Sequence, residues 1–330
     1  MEQDFSVIIP ARNAAADLAE GLAAIAAGHS RLRPLEVIVV DDGSTDDTAS
    51  VAKALGARLI RLAGLGPAVA RNAGAKAASG ALLVFLDADC VPEDGCFEAL
   101  LTPFADPRVA GTRGSYTSQQ RRLLPRFVQL EMEEKQARLA TSSEITLLDT
   151  VCAAYRRSVF LEEGGFDETL PATSVEDAEF SFRLAAKGMR LIYAAEARVR
   201  HRHPERLASY LRRKIRFGYY RARLYRHYPA RIRADGYTPR LMPLQIVLAG
   251  TLVGLAVVGV ALSPARPAAA AGGLLFLATT LPLVRRAWRR DRILAAAVPA
   301  LLLMRSLAQG LGLLLGVASQ IARPLGRMHH

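Results

Sequence analysis

Residues 81–90 read ALLVFLDADC. Six apolar residues follow one another and stop at Asp87-Ala88-Asp89. So short and uniformly apolar a run is expected to form a strand buried on both faces. Working outward, residues 6–10 (SVIIP), 36–40 (EVIVV) and 57–62 (ARLIRL) read the same way. Residues 14–27, 45–55 and 67–79 between them have helical composition. Ser44 or Thr45 is expected to cap the second of these helices and Gly80 to end the third. Strands alternating with helices imply an α/β fold, Rossmann-like, with a mostly parallel sheet covered on both faces. Ligands of such sheets bind at the carboxyl ends of the strands. Three strands end in polar motifs: Pro10-Ala11-Arg12-Asn13, Asp41-Asp42-Gly43-Ser44 and Asp87-Ala88-Asp89. All three are therefore expected on one edge.

The chemistry of that edge follows from its residue types. Asp87 and Asp89 can both approach a hard divalent cation, Mg²⁺ or Mn²⁺, which in turn can neutralise a diphosphate leaving group. Taken alone, D-x-D is an ordinary acidic turn; its position after ALLVFL, beside a second acidic strand end, favours the metal. Asp41 and Asp42 fit either a strand-to-helix turn or a carboxylate that accepts the N–H of a nucleobase. Arg71, in the helix before the D-x-D strand, can hold a phosphate or a base. Glu176-Asp177 opens EDAEFSFRLAAKG, where acidic residues suit the positive end of a helix and a carboxylate can equally take an acceptor's proton. His201 and His203 stand at spacing two; a neutral imidazole can join Asp89 on a metal, or both can be surface residues of a basic stretch. No G-x-G-x-x-G follows the first strand and no G-x-x-x-x-G-K-[ST] occurs, which counts against dinucleotide and P-loop sites.

Charge and hydropathy divide the chain. Of 330 residues, 51% are hydrophobic and 22% charged, which excludes a disordered or collagen-like chain. Cys90, Cys96 and Cys152 lack metal-like spacing and suit a reducing compartment. The net charge of +12 is uneven. Residues 1–200 carry 22 Lys/Arg against 28 Asp/Glu, residues 201–240 carry 12 against 2, and residues 241–330 carry 9 against 1. The positive charge begins where the chain turns apolar, which points to a membrane surface rather than nucleic acid. Residues 206–228 read as a basic amphipathic helix, with Arg213 and Arg216 off the apolar stripe. Three apolar runs follow at 241–262, 268–284 and 293–322, the last interrupted by Arg305. Arg305 allows one span or a re-entrant pair, and is expected to snorkel or to pair with a carbonyl or a lipid phosphate. The positive-inside rule puts the arginine-rich loop 285–292 in the cytoplasm, and with it residues 1–240. The start, MEQDFSVIIPARN, has no basic n-region or long h-region, so no signal peptide is expected.

SVIIPARN, EVIVVDDGSTDDT, GPAVARNAGAKAASG and LLVFLDADC, in this order, resemble family 2 glycosyltransferases of the GT-A fold. The later AYRRSVFLEEGGFDE and EDAEFSFRLAAKG do so as well. The resemblance covers about residues 5–220 and extends to membrane-anchored members with C-terminal helices. It implies a nucleoside-diphosphate-sugar donor and inversion at the anomeric carbon. Pro10, Ala11 and Arg12 would lie beside the nucleoside, and Asp41, with Arg71 assisting, would bond the base, expected to be uracil. Asp87 would face the ribose or sugar, Asp89 would bind the metal with His201, and Asp177 would be the catalytic base. Gly165, in the Gly164-Gly165-Phe166-Asp167 loop, would lie between donor and acceptor sides. Processive members carry Q-x-x-R-W where this chain has RKIRFG at 213–218, so transfer of a single sugar is expected.

The expected organisation is a cytoplasmic GT-A domain over 1–204, an interfacial region over 205–240 and transmembrane helices over 241–330. The expected acceptor is a hydroxyl on a lipid or lipid-linked molecule at the inner membrane, with Mn²⁺ or Mg²⁺ as cofactor. A polyprenyl phosphate is the close alternative. A membrane-anchored subunit that keeps the fold without turnover is the alternative of another class, and the intact Asp87, Asp89 and Asp177 speak against it.

Overall fold

The computed structural model describes residues 4–28, 31–169, 175–229, 238–261 and 265–322. Residues 230–237 of the expected interfacial region and residue 262 of the first expected span lie outside the described residues. In chain order the elements begin with β1 (Phe5–Ala11), α1 (Ala15–Ala27), β2 (Glu36–Asp42), α2 (Thr48–Ala54), β3 (Arg58–Leu62) and α3 (Pro67–Ala77). There follow β4 (Leu82–Leu86), β5 (Cys90–Pro92), α4 (Cys96–Leu101), β6 (Val109–Thr117), α5 (Leu123–Leu139), β7 (Cys152–Arg156) and α6 (Arg157–Glu162). The chain continues through α7 (Glu176–Ala186), β8 (Arg190–His201), α8 (Leu207–His227), α9 (Met242–Ala261), α10 (Ala265–Trp288) and α11 (Arg292–Ala322). They form two compact units: Met1–Gln119 with Gln136–Arg202, and Gln120–Lys135 with His203–His330.

The first unit is built on an eight-stranded sheet of order β3-β2-β1-β4-β7-β6-β8-β5. β1 to β4 pair in parallel, and the uniformly apolar strands are covered as the sequence leads one to expect: β4 is buried throughout. Beyond β4 the sheet is mixed. β7 runs antiparallel to β4 and β6, β6 pairs parallel with β8, and β5 pairs antiparallel with β8. The change of direction starts at Asp87-Ala88-Asp89, where the Cys90 N–H donates to the Asp87 carbonyl at 3.0 Å and turns the chain sharply. Ile8, Ile38, Val40 and Phe85 form the core with Phe160, Phe166 and Phe180. Those last three rings meet edge to face at centroid distances of 5.0–5.4 Å, a geometry that aromatic quadrupoles favour.

Two expected helix ends move. α2 begins at Thr48, because Ser44 and Thr45 serve Asn13 instead of a cap. The Asn13 N–H donates to Ser44 Oγ at 2.9 Å, and the Thr45 N–H donates to Asn13 Oδ1 at 2.8 Å. α3 stops at Ala77, and Gly80 does not cap it. Gly80 instead lies where a Cβ would come within 2.6 Å of the Phe5 backbone, and its N–H donates to Ser6 Oγ at 2.9 Å.

The second unit joins the first part of α5 to α8–α11. The apolar face of α8 lies on α11 so closely that Gly218 meets the Gln309 carbonyl, Gly312 the carbonyl of Ile215 and Gly316 that of Tyr219. Small residues permit such backbone contact. α11 is one continuous helix through Arg305. Arg305 is 3% exposed and donates to Glu131 Oε1 at 2.7 Å and to Gln245 Oε1, so it meets a side-chain amide carbonyl and, beyond what was expected, a carboxylate. Glu131 Oε2 accepts the Tyr210 hydroxyl at 2.9 Å and faces Lys214 Nζ at 3.4 Å. Burial pushes the Glu131 carboxyl up, but Lys214 and Arg305 together hold it below its usual value.

Most of the expected loop 285–292 is helical, since α10 runs to Trp288 and α11 restarts at Arg292. The Asp291 carboxylate accepts the N–H groups of Ile293 and Leu294 at 2.9 and 3.1 Å and caps α11. Among the described residues two helices, Arg266–Trp288 and Arg292–Ile321, are long and apolar enough to cross a membrane. Leu274, Ile293, Leu314 and Ile321 lie exposed on them.

Candidate active site

Parallel pairing of β1, β2 and β4 puts their carboxyl ends on one edge, with Ala11 in register with Asp41. Pro10 is half-buried, Ala11 buried and Arg12 exposed. Asp41 is buried; its Oδ1 accepts the Ser44 N–H at 2.9 Å, and its Oδ2 lies 3.9 Å from Arg61 Nε. Asp42 has a different task. Its two oxygens accept the N–H groups of Leu65 and Gly66 at 2.7 and 2.8 Å, which fastens the loop before α3.

Arg71 connects this edge to α7. It is 2% exposed, donates through Nη2 to Asp87 Oδ1 at 2.8 Å and through Nη1 to Glu176 Oε1 at 3.0 Å. A buried guanidinium needs charged partners, and its forked donors reach two carboxylates that are far apart in the chain. The neighbouring Asn72 does the same for the Gly164-Gly165-Phe166-Asp167 loop. Its Nδ2 donates to the Phe166 carbonyl at 2.8 Å, and its Oδ1 accepts the Phe166 N–H at 2.9 Å. Gly165 has φ +70°, and a Cβ there would stand 2.6 Å from Asn72 Oδ1. Only glycine fits that conformation and that approach without strain.

Because β5 and β8 pair with Cys90 opposite His201, the imidazole arrives beside Asp89, with Nε2 3.5 Å from Oδ2. The donor atoms of Asp89, Cys90 and His201 all lie within 4.8 Å of one another, and Asp87 is not in this group. Burial pushes the Cys90 thiol well up, so it stays protonated, while the carboxylate and the imidazole remain as hard and borderline donors that suit Mn²⁺. His203 lies elsewhere, in the second unit, where Nε2 is 2.9 Å from Gln129 Oε1.

Asp177 is half-buried in the first turn of α7, and its Oδ1 is 2.7 Å from the Ala178 N–H. Burial, then the like charges of Glu176 and Asp149, raise its pKa from 3.8 to about 7, against the pull of Arg71. Arg213 and Arg216 lie exposed on α8 in the second unit. The structure thus gathers Asp41, Arg71, Asp87, Asp89, Glu176, Asp177 and His201 in the first unit. Asn72, from the GPAVARNAGAKAASG motif, joins them, as do Asp149 and Tyr116, which lie in none of the motifs quoted above. Tyr116 rests its ring on His201 with centroids 5.7 Å apart.

Residues 6–164 match the sequence model of Glycosyl transferase family 2. The pre-mycofactocin glycosyltransferase of Mycobacterium tuberculosis is 33% identical over 227 residues, covering 66% of this chain and 46% of that protein. The chain spans about half the length of the curated relatives it matches. Among solved structures, the mannosyltransferase PcManGT of Pyrobaculum calidifontis, in complex with GDP-Man and Mn²⁺, aligns with a TM-score of 0.64. Identity is 23%, over 94% of this chain and 88% of that one. GalNAc-T7 with UDP, GalNAc and Mn²⁺ aligns at 0.51 and 18% identity, over 69% and 50%. Residues 6–164 are thus a glycosyl transferase family 2 domain, in a chain of GT-A fold whose C-terminal helices are apolar enough to anchor it in a membrane.

Proposed function

We propose that the chain transfers a single sugar, with inversion, from a UDP-linked donor to a hydroxyl of a lipid or lipid-linked acceptor. It does so at the cytoplasmic face of the inner membrane. The observation that carries this reading is the buried bridge of Arg71 to both Asp87 and Glu176, which joins the D-x-D strand end to the helix that bears Asp177. Structures of like fold with GDP-Man or UDP together with Mn²⁺ support the donor class.

Pro10, Ala11 and Arg12 flank the nucleoside, and Asp41 accepts a base N–H. Asp42 holds the 63–66 loop at that side. Asp87, fixed by Arg71, faces the ribose. Asp89 and His201 would hold a divalent cation, whose charge would offset that of the diphosphate. Asp177 takes the proton of the acceptor hydroxyl as the new glycosidic bond forms and the bond from the anomeric carbon to the diphosphate oxygen breaks. One displacement of this kind inverts the carbon. A carboxylate with an affinity near neutrality is matched to that task. A phosphate acceptor is already ionised and needs no such base, which favours the hydroxyl. The exposed Arg213 and Arg216 suit anionic lipid headgroups.

Asp177→Asn, assayed in membranes with labelled donor, is expected to lower transfer by about a hundredfold or more while donor binding survives. Undiminished turnover would remove Asp177 from the reaction.

A further inference from the structure

Asp149 has no place in the donor and metal contacts above, yet it is among the most elaborately held side chains in the first unit. It precedes β7 and is 5% exposed. Its Oδ2 accepts the Tyr116 hydroxyl at 2.7 Å and lies 2.8 Å from Arg113 Nη2, which also donates to the Tyr116 oxygen at 2.9 Å. Arg113 is fully buried, and its guanidinium stands 5.4 Å from the Tyr116 ring and 5.9 Å from that of Tyr193. A cation and a hydroxyl converging on one oxygen favour the charged carboxylate.

A second set of contacts brings this carboxylate to α7. The Leu148 N–H donates to Ser181 Oγ at 2.9 Å, and the Ser181 hydroxyl donates to the Asp177 carbonyl at 2.7 Å. The residue before Asp149 is thus tied through one hydroxyl to Asp177 itself. The charged and titratable groups whose fields reach Asp177 are Glu176 of its own helix, Arg71 from α3, Asp149 from the segment before β7 and Tyr155 from β7. Burial raises the Tyr155 phenol, so that group stays neutral. Glu176 is already paired with Arg71 at 3.0 Å. Asp149, itself held by Arg113 at 2.8 Å, adds a second like charge to the surroundings of Asp177.

We infer that Asp149 is a positioning residue of the transfer reaction: clamped by Arg113 and Tyr116, its carboxylate sets the proton affinity of the base Asp177. The inference rests on Asp177 being that base. Removing a neighbouring like charge stabilises an ionised carboxylate and makes it a weaker proton acceptor.

The test is the pH–rate profile of the full chain in membranes for Asp149→Asn, with Asp177→Asn alongside. The acid limb is expected to move down by roughly one pH unit. The plateau kcat is expected to fall about threefold with donor KM unchanged. The single variant leaves Arg113 buried without its carboxylate, which can unfold the chain. The double variant Arg113→Met/Asp149→Asn removes both charges and is expected to move the limb in the same direction by a smaller amount, because the cation that partly offset Asp149 goes with it. Infrared difference titration, with the Asp177 band assigned by its loss in Asp177→Asn, reads the same displacement without turnover. An acid limb and a band that stay in place, whatever happens to kcat, overturn the role of Asp149 and leave Asp177 as base. An Asp177→Asn variant that turns over normally overturns both.

Discussion

Arg71 shows most clearly how one side chain organises the site. Its guanidinium replaces water for two carboxylates, Asp87 at 2.8 Å and Glu176 at 3.0 Å. Arg71→Met is expected to destabilise the fold by about 3–5 kcal/mol, because it leaves Glu176 buried without its partner. A thermal melt beside donor-binding titration checks this; a variant with wild-type stability and affinity would contradict it. Asp177 carries a cost of the opposite kind. With a folded pKa of about 7, the native state binds a proton that the unfolded chain has already lost. Stability is therefore full below the ordinary aspartate range and falls as pH rises toward 7. Asp177→Asn should raise the melting temperature at pH 8 and leave it unchanged at pH 4, and kcat/KM of the wild type should fall with an acid limb near pH 7. Equal melting shifts at both pH values would argue against the raised affinity.

Among elements, α8 and α11 make the tightest contact in the second unit. Their backbones meet through Gly218, Gly312 and Gly316, with no side chain between them. Such an interface is intolerant of bulk, because the listener to any added methyl group is a carbonyl that cannot rotate away. Gly312→Leu is expected to cost about 3 kcal/mol or more through overpacking. The measurement is the detergent-solubilised melting curve, with Gly250→Leu as the comparison, since nothing stands within 4 Å of a Cβ at Gly250. Equal effects at the two glycines would show that α8 does not depend on this contact. The Gly164–Gly165 loop obeys the same principle in the first unit, where Asn72 fills the space a Cβ would need.

For the molecule as a whole, two apolar helices and the exposed side chains upon them set the solvent the chain requires. Leu274, Leu314 and Ile321 are 70%, 70% and 81% exposed, an apolar surface that water does not favour. The protein is expected to sediment with membranes, to resist both high salt and alkaline carbonate, and to enter solution only with detergent. Release by salt alone would mean that charge, not hydrocarbon, holds it there.

How much of this was legible in the chain differs from residue to residue. Strand ends could be read directly, because a buried parallel strand must be apolar and its carboxyl end is where polarity returns. The D-x-D turn and the Asp41 turn were visible for that reason, local composition marked α10 and α11 as apolar, and only the family resemblance pointed to Asp177 at the start of α7. What pairs with what was not visible. Antiparallel pairing of β5 with β8 brings His201 to Asp89, which the family resemblance implied but no local pattern of residues required. A helix crossing gives Arg305 the carboxylate of Glu131. Asp149 becomes significant only once β6 has delivered Arg113 and Tyr116 to it. Periodicity and local chemistry determined which segments fold and where polar groups surface. Partners distant in sequence were decided by the tertiary structure alone, because a buried charge is defined by the neighbours that desolvate and pair it.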